Sequence, residues 1–247
     1  MSGHSRWANI KHKKAKSDSK RGKLFSKLVK EVMVAAKLAG GDPSSNPRLR
    51  AAVEKAKGEN VPADNIERAI KKGAGGLEGV NYEDGTYEGF GPAGVAVLVY
   101  YMTDNKNRTV PEVRQVFAKY GGRAGEVAWI FDKSGVFTFD INSIEEDKLM
   151  EAALSAGARD VITNKADGIY EVYTDPSDFH RIKTSFDSMG LKYTMASVSM
   201  VPKTTVHVEG GDARKVLKLM EELEDLDDIQ EVYSNFDMPL EEMEKVA

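Results

Sequence analysis

The N-terminal part of the chain spaces its apolar residues with the period of an α-helix. In KLFSKLVKEVMVAAKLAGG, residues 23–41, apolar side chains recur every three or four positions and two glycines follow. Glycine commonly stands just beyond a helix end, because it adopts the left-handed conformation without strain. The pattern therefore predicts a helix that ends at Gly40. Its apolar stripe consists of Leu24, Phe25, Leu28, Val29, Val32, Met33 and Ala36.

Two more helices are predicted before residue 78. Asn46 is a favoured N-cap residue and Pro47 suits the first helical position, so a second helix is expected in SSNPRLRAAVEKAKGEN. In VPADNIERAIKKGAGG, Pro62 stands near the start and Gly73 past the end of a third. Together the three segments predict a helical bundle over residues 23–77.

From Tyr82 onward the apolar period changes to that of β-strands. TYEGF, VAVLVYYMT and EVAWIFD are predicted strands, and TVPEVRQVFAKYGG is a predicted helix in which Thr109 and Glu112 would form a capping box. Near the C-terminus, TTVHVEG, GDARKVLKLMEELEDL and DIQEVYSNFD predict a β-α-β unit without a core of its own. We therefore expect residues 78–133 and 204–247 to form one discontinuous domain.

The intervening residues 134–203 predict strands and helices in the order β-α-β-β-α-β. This is the order of the ferredoxin-like fold, which closes on itself within one segment. The expected fold class is therefore α+β and multidomain. It consists of an N-terminal three-helix bundle and two α/β domains, with the ferredoxin-like unit inserted into the other.

Composition and motifs exclude several classes of protein. There is no cysteine for disulfides or thiol catalysis, and no apolar run is long enough to span a membrane. The N-terminus lacks the apolar core of a secretory signal, so a cytoplasmic location is expected. No phosphate loop, nucleophile elbow or metal-ligand spacing occurs, and the histidines stand apart. We therefore predict no enzyme activity, metal, cofactor or small-molecule substrate.

GFGPAG, residues 89–94, matches the glycine pattern of dinucleotide-binding loops. In such loops the motif opens a helix whose N–H groups meet a pyrophosphate. Here the strand-like VAVLVYY follows the motif, and Pro92 lacks the N–H that a phosphate cradle would use. A hairpin turn between two strands is the better prediction.

The charges of the chain are strongly separated. Residues 1–72 carry 18 Lys or Arg and 7 Asp or Glu, a formal charge of +11. Residues 73–247 carry 17 and 32, a formal charge of −15. One end therefore attracts polyanions, and nucleic acid is a better partner for such a chain than a membrane surface. A basic tail that serves only solubility is the alternative.

The most basic stretch is GHSRWANIKHKKAKSDSKRGK, residues 3–23, with eight Lys or Arg and one Asp. We call residues 1–22 the basic head and expect it to be flexible, because it has few apolar residues to bury. Five lysines spaced by three or four positions would line one helix face if the first helix extended upstream. We call them the lysine row: Lys16, Lys20, Lys23, Lys27 and Lys30.

The predicted nucleic-acid contacts combine this charge with an aromatic ring. Lysines at helical spacing suit successive phosphates, and Trp7 offers a stacking surface for an unpaired base. No helix carries Arg, Asn and Gln at groove-reading positions, so sequence preference should be weak. The predicted contacts are His4, Arg6, Trp7, Lys11, His12, Lys13, Lys14, Lys16, Lys20, Arg21, Lys23, Lys27 and Lys30.

A second anion site is predicted in TDNKNRT, residues 103–109. Lys106 and Arg108 are expected just before a helix N-terminus, where cations oppose the helix dipole. A phosphate bound between them would make that arrangement favourable. An Asn-rich turn that satisfies its own backbone is the alternative.

The segment EELEDLDDIQE, residues 221–231, holds seven acids and no base, and we call it the acidic segment. A magnesium site is conceivable there. We instead expect a solvated acidic face that repels nucleic acid and so orients the protein upon it.

Several long motifs resemble those of the YebC/PmpR family. The opening GHSRWANIKHKKAKSDSKRGKLFSKL is the longest, and AAKLAGGDPSSNPRLRAAVEKAK follows it. Further matches are YEGFGPAGVA, TDNKNRTVPEVR, MEAALSAGARDV and VYSNFD, so the similarity covers almost the whole chain. One departure is the stretch GGRAGEVAWIF around Gly125, which is about three residues shorter than the loop usual in this family.

The resemblance implies a three-domain architecture like the one predicted above, and a DNA-binding transcriptional regulator. Relatives that include the mitochondrial translational activator of cytochrome c oxidase subunit I act on the ribosome, where they help difficult nascent sequences through. The competing predictions are therefore a DNA-binding regulator of transcription, an RNA-binding factor on the ribosome that regulates translation, and a protein-interaction adaptor that uses the ferredoxin-like unit.

Overall fold

The computed structural model describes residues 18–75, 81–165, 167–239 and 243, with side chains from residue 21 onward. These residues form a mixed helix and sheet structure, which confirms the predicted fold class. No helix within the described residues is long and apolar enough to cross a membrane.

Seven α-helices and ten strands make up the described part of the chain. The helices are α1 (Asp18–Ala39), α2 (Pro47–Gly58), α3 (Ala63–Ala74), α4 (Lys106–Lys119), α5 (Glu146–Ala156), α6 (Phe179–Ser188) and α7 (Gly210–Asp225). The strands are β1 (Glu83–Phe90), β2 (Ala96–Thr103), β3 (Arg123–Ala124), β4 (Phe131–Asp140), β5 (Asp160–Asn164), β6 (Ile169–Thr174), β7 (Met195–Pro202), β8 (Val206–His207), β9 (Ile229–Ser234) and β10 (Phe236–Asp237).

The first three helices form the predicted bundle. Helix α1 covers Asp18–Ala39 of the described chain, so residues 18–22 of the predicted head are helical. Its apolar stripe packs against α2 and α3 around Val32, Leu49 and Ile66, which are nearly inaccessible to solvent. Burial of this stripe supplies most of the stability of such short helices.

Asn46 fastens two helices of the bundle to each other. Its Oδ1 accepts a hydrogen bond from the backbone N–H of Leu49 at 3.0 Å, which caps α2 and confirms the predicted N-cap. Its Nδ2 donates to the carbonyl oxygens of Ala35 and Gly40, both at 2.8 Å, at the C-terminal end of α1. A buried amide with all these bonds fixes the turn between the helices.

Gly73 has a different role from the predicted one. It lies inside the last turn of α3 and is buried, whereas a position past the helix end was expected. A Cβ atom there would lie 2.2 Å from the carbonyl oxygen of Met33 in α1. The missing side chain therefore allows α1 and α3 to touch.

The central domain contains a sheet of four strands in the order β3-β1-β2-β9. All its neighbouring strands are antiparallel, and β9 pairs with β2 from Val97 opposite Ser234 to Tyr101 opposite Ile229. Helices α4 and α7 cover one face of this sheet. Strands β8 and β10 form a separate parallel pair next to it.

The GFGPAG motif forms the hairpin turn between β1 and β2, as predicted. The N–H of Gly91 donates to the carbonyl oxygen of Val95 at 2.7 Å and closes the turn. Ala93 and Gly94 both adopt positive φ, of 56° and 77°. The strand that follows leads away from this turn, so the geometry is not that of a dinucleotide-binding loop.

The inserted domain has the strand order β5-β6-β4-β7, which is the ferredoxin-like arrangement. Helices α5 and α6 cover one face of this sheet, and Phe137, Phe139 and Phe186 form its aromatic centre. On the reverse side of the central sheet, Leu98 and Tyr233 pack against Phe131 at the start of β4.

Residues 126–132 differ from the predicted strand. The carboxylate of Glu88 accepts the backbone N–H groups of Val127 and Ala128, each at 2.7 Å. These donors are therefore lost to a β ladder, and a short 3₁₀ turn, Ala128–Ile130, forms instead. Strand β4 then runs without a break across the predicted domain boundary at residues 133 and 134.

Replacing Gly73 by Ala should destabilise the bundle by about 1–3 kcal/mol, because the new methyl group overlaps the carbonyl oxygen of Met33. Gly58→Ala is the matched control, since no atom lies within 4 Å of a Cβ built there. Urea unfolding followed by circular dichroism gives both free energies of unfolding. Equal stabilities of the two variants would contradict this account of the helix contact.

Candidate nucleic-acid interface

The C-terminal part of the lysine row faces the acidic segment. Nζ of Lys23 lies 3.6 Å from Oδ1 of Asp225 and donates to the carbonyl oxygen of the same residue at 3.4 Å. Nζ of Lys27 donates to the carbonyl oxygen of Glu224. Carbonyl groups at the end of a helix carry partial negative charge, so lysines are well placed there. These two lysines therefore hold α1 against the end of α7.

Lys30, the last member of the row, reaches the buried carboxylate of Asp228. Its Nζ lies 2.8 Å from Oδ1 of Asp228 and donates to the carbonyl oxygen of Met102 at 2.9 Å. The same ammonium group lies 5.1 Å from the centre of the Tyr82 ring. Lys30 thereby connects the helical bundle to β2 and to the start of β9.

The carboxylate of Asp228 is contacted by four side chains from α1, β2 and α4. Besides Lys30, Nη2 of Arg108 donates to its Oδ2 at 2.6 Å. The hydroxyl oxygens of Thr103 and Thr109 lie 3.0 and 2.7 Å from the same Oδ2. Only 8% of the Asp228 side chain is exposed, so these interactions act with little screening by water.

The environment of Asp228 strongly favours its charged form. Burial by itself would raise the pKa of this carboxyl group. Hydrogen bonds from Arg108, Lys30 and Thr109, together with the charge of Lys30, outweigh burial and hold the pKa of Asp228 well below its usual range. The carboxylate is therefore a fixed negative charge between the bundle and the central domain.

Further ion pairs secure the bundle beside this carboxylate. The guanidinium of Arg48 donates to Glu31 within the bundle at 2.8 Å and to Asp84 of β1 at 2.6 Å. These two carboxylates raise the pKa of Arg48. Lys55 of α2 pairs with Glu231 of β9. We call residues 73–247, which carry the negative net charge, the acidic body. The ion pairs described above attach the bundle to this body.

Most of the predicted head lies outside the described residues. Lys20 falls within α1, but its side chain is also outside them, whereas Arg21 is described and lies 5.4 Å above the centre of the Phe25 ring. The predicted contacts outside the described residues are His4, Arg6, Trp7, Lys11, His12, Lys13, Lys14 and Lys16.

The predicted second anion site has a different local geometry. Helix α4 begins at Lys106, so Lys106 and Arg108 lie in its first turn and not before it. The N-cap is Asn105, whose side chain accepts the N–H of Arg108, and the predicted capping box of Thr109 and Glu112 is wrong. Pro111 lies inside α4, beyond its first turn.

Arg108 already has carboxylate partners in the structure. It donates to Asp104 at 2.9 Å and to Asp228 at 2.6 Å, and these groups raise the pKa of its guanidinium. A phosphate bound by Arg108 would have to share the guanidinium with them. The anion predicted from the sequence is thus replaced, at this residue, by carboxylates of the protein.

The acidic segment is the feature that sequence reasoning misjudged. It was expected to be a solvated face, but Glu224, Asp225, Asp228 and Glu231 all contact residues of the bundle or of α4. The signal was present in the sequence, since a row of lysines and a run of acids of opposite charge can pair within one chain. Within the described residues no cluster of three or more His, Asp or Glu could hold a metal ion.

The structure is therefore that of an α+β protein with three parts, in which ion pairs hold the basic bundle against the acidic body. Two family models match the chain. The TACO1/YebC protein N-terminal domain matches residues 5–76, and the TACO1/YebC second and third domain matches residues 82–236. The chain belongs to the TACO1/YebC family.

Two relatives that share one descriptive name match the full length of the chain. A "Probable transcriptional regulatory protein" of Geobacter sp. (strain M21) is 57% identical over 249 residues, with all of both chains covered. One from Halothermothrix orenii is 55% identical and covers 100% of this chain and 99% of its own. A conserved hypothetical protein from Aquifex aeolicus has a crystal structure that is similar, with a TM-score of 0.78, 44% identity and coverage of 91% and 93%.

Asp228→Asn should lower the free energy of unfolding by about 3 kcal/mol, because it leaves Lys30 and Arg108 without their shared buried carboxylate. Asp227→Asn is the matched control, since this neighbour is exposed. Urea unfolding of the two variants and the parent chain measures the difference. Equal stability of all three would rule out Asp228 as the anchor.

The low pKa of Asp228 also predicts a dependence on pH. A carboxyl group with a lower pKa in the folded than in the unfolded chain stabilises the fold above its ordinary pKa, and this contribution disappears as pH falls toward the folded value. The stability difference between the parent chain and Asp228→Asn should therefore be largest above about pH 5 and shrink below about pH 4. Unfolding curves measured from about pH 6 down to about pH 3 would contradict the account if the difference stayed constant.

Proposed function

We propose that this protein is a nucleic-acid-binding regulator of gene expression that contacts its polyanion with the basic head and the adjoining bundle. The observation that carries this proposal is the separation of charge, +11 in residues 1–72 against −15 in the rest. Such a distribution draws nucleic acid to one end and directs the other end away from it. The name of the relatives, "Probable transcriptional regulatory protein", supports a regulatory role.

Within this proposal the predicted contacts divide into two groups. Lys23 and Lys30 form ion pairs with Asp225 and Asp228, and Lys27 donates to the carbonyl oxygen of Glu224. These three lysines therefore position α1. The residues upstream of Asp18 immediately precede that helix in the sequence. We assign the phosphate contacts to the lysines and arginines of the head and the base contact to Trp7.

Removal of residues 1–17 should weaken the binding of a fluorescently labelled DNA duplex of about 20 base pairs. It should also reduce the dependence of this affinity on salt concentration. This deletion keeps residues 18–39 of α1 and takes away five Lys or Arg. Each lost phosphate contact reduces the slope of log affinity against log salt by about 0.9 on duplex DNA, so the total change should be about 3–5. Fluorescence anisotropy at several salt concentrations measures it.

Two full-length variants make this test specific. Replacement of Arg6, Lys11, Lys13, Lys14 and Lys16 by Gln should reproduce the deletion, while Trp7→Ala should weaken single-strand binding and leave the salt slope unchanged. Undiminished binding after the deletion at about 150 mM salt would overturn the proposal. Comparison of duplex DNA with structured RNA at matched salt, and co-sedimentation with ribosomes, distinguishes a transcriptional from a translational target.

A further inference from the structure

A groove runs along the helical bundle between α1 and α3, and Lys30 is the one described member of the lysine row that lines it. Its volume is about 490 Å³. The apolar side chains Phe25, Val29 and Met33 of α1 and Ala69 of α3 line it. All of these except Ala69 are partly exposed, so apolar surface is accessible inside the groove.

The polar lining of the groove is cationic. Arg68 and Lys72 of α3 and Lys30 of α1 contribute to its walls, together with Ser26 and Asn65, and no lining residue is acidic. Arg68 and Lys72 are exposed, and the hydrogen bonds of Arg68 go to the carbonyl oxygen of Asp64 and to Oδ1 of Asn65. Both partners are neutral groups, so the guanidinium charge of Arg68 is not neutralised by them.

The cations on the two sides of α1 thus have different partners. On one side Lys23 and Lys27 meet the acidic end of α7. On the other side Arg21 lies over the Phe25 ring at the edge of the groove, and Arg68 faces it from α3. A polyanion that approaches the bundle therefore finds available charge along the groove.

We propose that this groove binds unpaired nucleotides, with a base against Phe25, Val29 and Met33 and a phosphate on Arg68 and Lys72. Base stacking on aromatic and other flat or polarisable side chains, combined with basic walls, is how proteins hold single strands. The inference rests on the proposed nucleic-acid function and adds the location and the strandedness of the ligand.

The shape of the groove selects a single strand. A concave channel between two helices admits a splayed base or an extended strand, whereas the bases of a duplex are stacked inside and unavailable. Gly73, next to Lys72, allows α3 to approach α1 closely at Met33, which lines the groove.

The test compares two double variants of equal charge by fluorescence anisotropy on a 15-nucleotide oligo-U and a 15-base-pair duplex. Arg68→Gln with Lys72→Gln removes the groove cations. Lys57→Gln with Lys71→Gln is the control, because both lysines are exposed on the same bundle and neither lines the groove. The groove variant should raise the Kd for oligo-U about tenfold, and the control less than threefold.

A second measurement locates the base directly. Oligo-U with 4-thiouridine should cross-link on irradiation to peptides that contain residues 25–33 or 65–72, as mass spectrometry of the full chain identifies. Equal affinities of the two double variants for oligo-U, or cross-links only outside these peptides, would overturn the proposal that the groove binds nucleotides. The same results are expected if the groove binds an acidic peptide instead. Absence of any oligonucleotide binding by the parent chain would instead defeat the proposed function itself.

Discussion

The arrangement of the helical bundle and the central domain depends on the hydrogen bonds that Lys30 and Arg108 donate to the buried carboxylate of Asp228. This carboxylate stands where the acidic segment enters β9, and it takes hydrogen bonds from Lys30 of the bundle and Arg108 of α4. A charge in this position is costly to bury unless every oxygen is satisfied. Because these partners come from distant parts of the sequence, the carboxylate can be satisfied only when bundle and central domain are together.

This constraint changes the meaning of the charge separation along the chain. Part of the positive charge of the N-terminal region serves to attach the bundle to the acidic body, through Lys23, Lys30 and Lys55. Other cations of this region lie in the head and along the groove between α1 and α3. The same helix α1 therefore has a structural face, with Lys23 and Lys27, and a proposed binding face, to which Phe25, Val29 and Met33 of its apolar stripe belong.

The sequence predicted those features that depend on local rules. The helices of the bundle, the cap at Asn46 and the turn at Gly91 follow from residue spacing and from the conformations that each residue favours. The order of the ferredoxin-like unit was also readable, since its strands and helices alternate within one segment. These features need no information about distant contacts.

The features that sequence reasoning missed depend on partners far along the chain. Residues 127 and 128 have the composition of a strand, but Glu88 of β1 takes their N–H groups. Arg108 has the position of a phosphate ligand, but Asp228, 120 residues away, occupies it. The lysine row has the spacing of a phosphate-binding face, yet Lys23 and Lys27 contact the end of α7 and Lys30 contacts Asp228. In each case a long-range partner outweighs a local pattern.

The central claim is that Lys23 and Lys27 attach the bundle to the body and do not supply the affinity for nucleic acid. The most direct measurement is a double variant, Lys23→Gln with Lys27→Gln, examined both for its free energy of unfolding in urea and for its Kd on oligo-U at fixed salt. The account predicts lower stability with a Kd that changes by less than about threefold. Unchanged stability with a Kd raised tenfold or more would contradict it.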